Sequence, residues 1–174
     1  MTLNIEPYIR DVVDFPKKGI VFKDITPLLN DPAAFRLTLD HLTERYQDQQ
    51  LDAIVGIESR GFIFGAALAD RLNVGFVPAR KPGKLPAETI AESYQLEYGE
   101  ATLELHCDAF AKGARILLID DLLATGGTLN AAIKLIERLG GQLVESAVII
   151  ELCFLGGRGK LPPEAPLHSI MKVD

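Results

Sequence analysis

At 174 residues the chain is long enough for one domain with a sizeable buried core, and a composition 48% hydrophobic and 24% charged excludes a disordered polymer. The formal net charge of -6 argues against a general nucleic-acid binder, which carries a basic face, but leaves room for a local cationic pocket. Met1–Arg10 has no basic stretch followed by an apolar run, and no apolar segment approaches the about 20 residues of a membrane span. A cytoplasmic protein with no membrane or nucleic-acid partner is expected.

In chain order, Asn4–Phe15 is expected to form a short helix, broken by Pro16 and Gly19, and Ile20–Ile25 is a short apolar segment that stops at Thr26-Pro27. Asp31-Pro32 has the cap and first-turn residues that open a helix, with Phe35, Leu39, Leu42 and Tyr46 on its apolar face. Ala53–Ile57 is a buried strand, Glu58–Gly61 a turn, Phe62–Leu72 a helix and Val74–Pro78 another short strand. This alternation predicts an α/β fold: a mostly parallel twisted sheet flanked by helices.

Arg80–Ala91 holds Pro82, Gly83 and Pro86 among the cations Arg80, Lys81 and Lys84, and is expected to be a mobile loop. Tyr94–Glu97 and Thr102–His106 flank Tyr98-Gly99-Glu100 as a hairpin, so 80–106 forms a lid rather than a new domain. Ile116–Ile119 is then a strand, Gly126–Leu139 a helix with Leu129, Ile133 and Ile136 inward, and Leu143–Leu152 a further strand. Leu161–Pro166 is a proline-rich loop before a partly apolar end at Leu167–Val173. Cys107 and Cys153 lie beside strand-like sequence and read as buried, reduced thiols, while His41, His106 and His168 have no ligand spacing.

The chemistry concentrates in Ile116–Thr128, a strand ending in Asp120-Asp121 and followed by Leu122-Leu123-Ala124-Thr125-Gly126-Gly127-Thr128. A parallel strand delivers its carboxyl end to the ligand edge of the sheet, where the next loop meets a helix amino terminus. Gly126 and Gly127 let backbone amides approach an anion, Thr125 and Thr128 add hydroxyl donors, and the helix dipole favours negative charge. Two carboxylates beside such a cradle suit a vicinal diol rather than the phosphate itself. Phosphate and diol together describe a ribose 5-phosphate. There is no lysine after the glycines, as a P-loop requires, and no Gly-x-Gly-x-x-Gly spacing.

This pattern resembles the signature of the type I phosphoribosyltransferases, and three further segments in family order extend the resemblance from about Phe15 to Leu152. Phe15–Pro27 resembles the base-binding segment of the family's adenine-using branch, Glu58–Phe62 its diphosphate loop, and Arg80–Pro86 with Glu92–Gly99 its mobile loop and hood. The resemblance implies a single phosphoribosyltransferase domain over residues 1–174, with a small hood at 1–30 and a mobile catalytic loop and hairpin at 80–106. It implies transfer from 5-phosphoribosyl 1-diphosphate to adenine with Mg2+, giving AMP and diphosphate, by a homodimer.

Residue by residue, the resemblance assigns Asp120, Asp121, Ala124, Thr125, Gly126, Gly127 and Thr128 to the phosphoribosyl group. Glu58, Ser59, Arg60, Gly61, Arg80, Lys81 and Lys84 fall to the diphosphate, and Val21, Phe22, Lys23 and Arg60 to adenine. Glu97 is expected to be the general base, with Arg60 as the second catalytic group, and Mg2+ to be held mainly through substrate diphosphate and ribose, without a dedicated protein ligand. A cis Glu58-Ser59 peptide is also expected on resemblance. Two alternatives stay open: a 6-oxopurine substrate, for which the partly basic Gly156–Pro166 is relevant, and a non-catalytic regulator with the same fold.

Overall fold

Strand, not helix, follows the amino terminus in the computed structural model, which describes residues 3–96 and 99–174. Contacts divide the chain into two compact units, Met1–Arg45 and Tyr46–Asp174. In the first, a 3-10 turn at Glu6–Tyr8 precedes β1 (Arg10–Val13), which pairs antiparallel with β2 (Val21–Asp24). The helix expected over Asn4–Phe15 is absent because its β-branched Val12-Val13 joins a ladder that charge pairs lock. Lys23 Nζ lies 2.7 Å from Asp11 Oδ1, its directly opposite residue, and Arg10 Nε donates to Asp24 Oδ2 at 2.9 Å, again across the register. The intervening turn holds a cis Phe15-Pro16 bond and Gly19, whose amide donates to Asp14 Oδ1 at 2.6 Å.

A short helix that the sequence reading missed, α1 (Thr26–Asn30), follows; Asp24 Oδ1 accepts the Thr26 amide at 2.9 Å. The Thr26 hydroxyl and amide hold the Asp24 carboxyl down at about 2. Five residues are too few to show helical periodicity. Helix α2 (Pro32–Tyr46) opens as expected, with Asp31 Oδ1 accepting the amides of Ala33 and Ala34 at 3.0 and 2.8 Å. Leu39 and Leu42 are buried on it and Phe35 is half-buried.

The second unit is built on a five-stranded, all-parallel sheet. Its strands are β3 (Ala53–Ile57), β4 (Gly75–Ala79), β7 (Arg115–Leu123), β8 (Gln142–Leu152) and β9 (Leu167–Val173), in the spatial order β4-β3-β7-β8-β9. Every residue of β3 is buried, which is why it reads as a continuous apolar run. Helix α3 (Arg60–Leu72) starts two residues earlier than expected and packs on β3 and β7. Helix α4 (Gly127–Arg138) covers the other face, where Val55, Ile57, Ile116 and Leu118 meet Leu129, Ala132, Ile133 and Ile136.

The hairpin is longer than the sequence suggested. Strands β5 (Thr89–Gln95) and β6 (Glu100–His106) form a separate antiparallel pair, so the end of the expected Arg80–Ala91 loop is already strand. Leu103 and Leu105 join the core on the α4 face. The carboxy-terminal segment is the edge strand β9, not merely an apolar end.

The thiols depart from expectation: both are free, Cys107 is exposed and Cys153 only half-buried. Each lies just past the end of a strand, where adjacency to apolar sequence no longer means burial. Among the described residues no helix is long and apolar enough to cross a membrane.

Candidate active site

The chain leaves β3 for β4 on one side and returns in β7 on the other, so the carboxyl ends of β3 and β7 flank a topological switch point, where open parallel sheets bind ligands. A cavity of about 460 Å³ lies there, within the second unit. Strand β7 pairs with β3 only as far as Ile119, yet stays paired with β8 to Leu123. Asp120 and Asp121 therefore sit inside the strand, on the stretch whose β3-side edge is open. The strand runs on to Leu123, past the aspartate pair in which it was expected to end.

Both helices of this unit point their amino termini at the cavity. Ser59 and Arg60 at the start of α3 line it, as do Gly126–Thr128 at the start of α4. Neither Ser59 nor Gly126 caps its helix with a side chain, so first-turn amides remain available to an anion. Two positive helix ends facing one cavity, with two carboxylates between them in the lining, make a site for a ligand that is anionic at both ends and hydroxylated in the middle.

The acidic pair is asymmetric. Asp121 is 5% exposed and its Oδ2 accepts from Arg60 Nε at 2.5 Å. Asp120 is half-buried, and its Oδ1 accepts the Asp121 amide at 2.8 Å. Burial, then the neighbouring Asp121 charge, pushes the Asp120 carboxyl well above its ordinary value. Gly61 permits this packing, because a Cβ there would stand 2.9 Å from the Ile119 carbonyl oxygen and 3.1 Å from Asp120 Oδ1.

On the basic side, Glu58 organises the loop after β4. Its Oε1 accepts the Lys81 amide at 2.7 Å and Arg80 Nε at 3.3 Å, and its Oε2 lies 3.8 Å from Lys84 Nζ. Burial raises the Glu58 carboxyl, but the Lys81 amide, Lys84 and Arg80 outweigh it and leave it below its ordinary value. The loop is also tied to β6: Arg80 and Glu104 exchange backbone hydrogen bonds of 3.0 and 2.7 Å, and the Gly83 amide donates to Glu104 Oε2 at 3.3 Å. The Glu58-Ser59 peptide is cis.

Behind the Ala124–Thr128 loop stands Gly157, in a 3-10 turn over Gly157–Lys160. A Cβ on Gly157 would lie 2.2 Å from the Ala124 carbonyl oxygen, and one on Gly126, whose φ is +86°, 2.4 Å from the Gly157 carbonyl oxygen. Backbone rests directly on backbone. The turn is held by Glu151, 4% exposed, which accepts from Arg158 Nε and Nη2 at 2.8 and 2.6 Å and from Ser169 Oγ at 2.5 Å. Its hydrogen bonds from Arg158, opposed by burial, leave the Glu151 carboxyl below its ordinary value.

Of the residues expected in the site, Glu58, Ser59, Arg60, Lys81, Asp120, Asp121, Ala124, Thr125, Gly126, Gly127 and Thr128 line this cavity. Gly61, Arg80 and Lys84 stand immediately behind that lining, Gly61 against Asp120 and the two cations on Glu58. Val21, Phe22 and Lys23 belong to the first unit, where Phe22 packs edge-on against Phe15 with ring centroids 5.2 Å apart. Glu97 lies outside the described residues. The sequence reading missed Tyr94, Leu96, Ala101 and Leu103, hairpin residues that also line the cavity. The signal available for Tyr94 was its alternation with Glu92 on one strand face, both half-buried between exposed neighbours.

Residues 25–173 match the family described as "Phosphoribosyl transferase domain". The chain is 61% identical over 164 residues to an adenine phosphoribosyltransferase of Chloroflexus aurantiacus, covering 94% of each. It is similar in structure to the adenine phosphoribosyltransferase of Thermoanaerobacter pseudethanolicus, with TM-score 0.93, 51% identity, and 97% and 98% of the two chains covered. It is also similar to the APRTase of Giardia lamblia complexed with 9-deazaadenine, with TM-score 0.93, 38% identity, and 100% and 99% covered.

Proposed function

This chain belongs to the phosphoribosyl transferase family, among the adenine phosphoribosyltransferases, and we propose from that premise how its residues carry the reaction. It transfers the 5-phosphoribosyl group of 5-phosphoribosyl 1-diphosphate to adenine, giving AMP and diphosphate. The bond from ribose C1 to the diphosphate oxygen breaks, a bond from C1 to a purine imidazole nitrogen forms, and that nitrogen gives up its proton. The observation that carries the reading is the convergence of two helix amino termini and a carboxylate pair on one cavity.

In this reading the amides and hydroxyls of Ala124–Thr128 hold the 5-phosphate at the start of α4, and Asp120 and Asp121 accept from the ribose hydroxyls. Ser59, Arg60 and Gly61 take the diphosphate at the start of α3, joined by Arg80, Lys81 and Lys84. Glu58, a carboxylate, serves that anion indirectly by holding the basic loop through the Lys81 amide and the two neighbouring cations. Phe22, with the backbone of Val21 and Lys23, is assigned to adenine; the Lys23 ammonium is already paired with Asp11. Arg60 bridges the diphosphate and the base, and Glu97 takes the imidazole proton.

Positive charge develops on the ribose as the diphosphate departs, so donors fixed in advance around the leaving group favour the transition state. Exclusion of water keeps the ribosyl cation for the base. Mg2+ fits a site for this substrate, since it takes hard oxygen ligands such as the phosphates and hydroxyls of the ribose diphosphate, whose hydroxyls Asp120 would orient from the cavity wall. When bound through the diphosphate and ribose it would neutralise leaving-group charge. A homodimer and a cytoplasmic location complete the proposal on family resemblance.

The test is to combine the protein with Mg2+, 5-phosphoribosyl 1-diphosphate and each of adenine, hypoxanthine and guanine. AMP formed rapidly from adenine, with little product from the oxopurines, is expected. Faster turnover of an oxopurine would overturn the assignment of the base, and no nucleotide from any of them would overturn the enzyme.

A further inference from the structure

Tyr94 reaches the phosphate cradle from a different element, and its chemistry there is specific. Its ring lies over the glycine turn, so that a Cβ on Gly127 would stand 3.0 Å from Tyr94 Cδ2. Its hydroxyl oxygen accepts from Thr128 Oγ1 at 3.1 Å. Its strand is clamped to α4 on the same face: Glu92, two residues earlier, pairs with Lys134 Nζ at 3.3 Å and Arg138 Nη1 at 3.2 Å. Arg138 Nη1 also donates to the Ala91 carbonyl oxygen at 2.7 Å. The hydroxyl is therefore placed by a built arrangement and is not a chance contact of an exposed side chain.

We propose that Tyr94 is a positioning residue for the 5-phosphate, acting through Thr128. In the structure Thr128 Oγ1 donates to the Tyr94 hydroxyl oxygen. With a phosphate oxygen in the cradle, rotation about the Thr128 C–O bond turns that proton to the anion, and the Tyr94 O–H reverses to donate into Thr128 Oγ1. No proton changes owner; two hydroxyls rotate. The threonine then both accepts and donates, and hydrogen bonds in such a chain polarise and strengthen one another. The ring meanwhile walls one side of the turn, limiting water around the phosphate. This inference rests on the assignment of the Ala124–Thr128 loop to the 5-phosphate.

Ribose 5-phosphate and inorganic diphosphate are the probes, titrated calorimetrically into the wild type, Tyr94→Phe, Thr128→Val and the double variant, each first checked for an intact fold by thermal melting. Tyr94→Phe keeps the ring and removes only the hydroxyl. It should weaken ribose 5-phosphate by roughly two- to tenfold, the size of one neutral hydrogen bond. It should leave diphosphate affinity unchanged and add nothing in the Thr128→Val background, because the two residues act in series. In steady state the KM for 5-phosphoribosyl 1-diphosphate should rise while kcat holds. Wild-type affinity in Tyr94→Phe, an equal loss for diphosphate, or a full additional loss on top of Thr128→Val would each overturn the inference. A wild type that binds diphosphate but not ribose 5-phosphate would instead refute the assignment of the loop, and this inference with it.

Discussion

Gly157→Ala is the perturbation whose consequence the geometry states most sharply. The added methyl would meet three backbone atoms, the Ala124 carbonyl oxygen at 2.2 Å, the Ala124 carbonyl carbon at 3.0 Å and the Gly126 nitrogen at 3.0 Å. A carbon–oxygen contact relaxes only near about 3.3 Å, so the two backbones must part by roughly 1 Å. No flexible side chain is available to absorb the shift, and overpacking of this kind costs about 1–3 kcal/mol. For a chain of this length each kcal/mol moves the melting temperature by about 2–4 °C. The backbone of Gly157 is outside the left-handed region, so the effect is steric rather than conformational.

Because the displaced atoms belong to Ala124 and Gly126, relief of the clash also opens the Ala124–Thr128 loop, which we propose holds the 5-phosphate. The KM for 5-phosphoribosyl 1-diphosphate should therefore rise with the loss of stability, by roughly tenfold for each 1.4 kcal/mol that falls on the cradle. Gly159→Ala is the control, since its Cβ meets nothing within 4 Å and its backbone is ordinary. It should be neutral or slightly stabilising. Urea unfolding and initial-rate kinetics on both variants decide the matter. A Gly157→Ala protein that unfolds and binds substrate like Gly159→Ala would refute the account of the interlocked loops.

Three other outcomes are expected. Asp120 is raised by burial and by Asp121, so the native state holds its proton more tightly than the unfolded chain. Stability from this group is lost as pH rises from the ordinary value of 3.8 through the native one. Asp120→Asn should melt higher than wild type at neutral pH yet bind 5-phosphoribosyl 1-diphosphate more weakly; a lower melting temperature with unchanged affinity would contradict both halves. Glu151 is lowered by Arg158, so its contribution is present above the ordinary value of 4.5 and disappears as pH falls through the native one. Glu151→Gln should be less stable than wild type at neutral pH, with the gap closing in acid, and melting temperatures across that range would show it. Glu97→Gln should slow kcat by roughly 10²–10⁴-fold, the usual worth of general acid–base help, with substrate affinity retained. Unchanged kcat would remove Glu97 from the proton step.

Much of the site was legible because it is local. Ile116–Thr128 carries its strand, its carboxylates and its glycine turn in one run of sequence, and Glu58–Gly61 does the same for the turn into α3 that lines the cavity. The alternating βα pattern likewise led to the parallel sheet. What escaped was set by contacts between distant segments. Arg10–Val13 looks helical until β2 lies beside it, since Asp11 and Arg10 find their partners in Lys23 and Asp24 only across the turn.

Tyr94 gains its meaning from Thr128, and Gly157 from Ala124 and Gly126, more than thirty residues away in each case. The aspartates' place inside β7 depends on β8 running further than β3, which no periodicity in β7 encodes. The thiols misled because a cysteine one residue past a strand has the apolar neighbours of a buried residue without its cover.

The central claim is that the cavity between the two helix ends transfers a phosphoribosyl group to adenine. Phosphorus NMR of 5-phosphoribosyl 1-diphosphate with the protein and Mg2+, recorded before and after adenine is added, tests it most directly. The spectrum should hold steady until adenine arrives, then convert to AMP and diphosphate in equal amounts, with the rate collapsing in Asp120→Asn/Asp121→Asn. Diphosphate released without adenine, or signals unchanged after it, would contradict the claim.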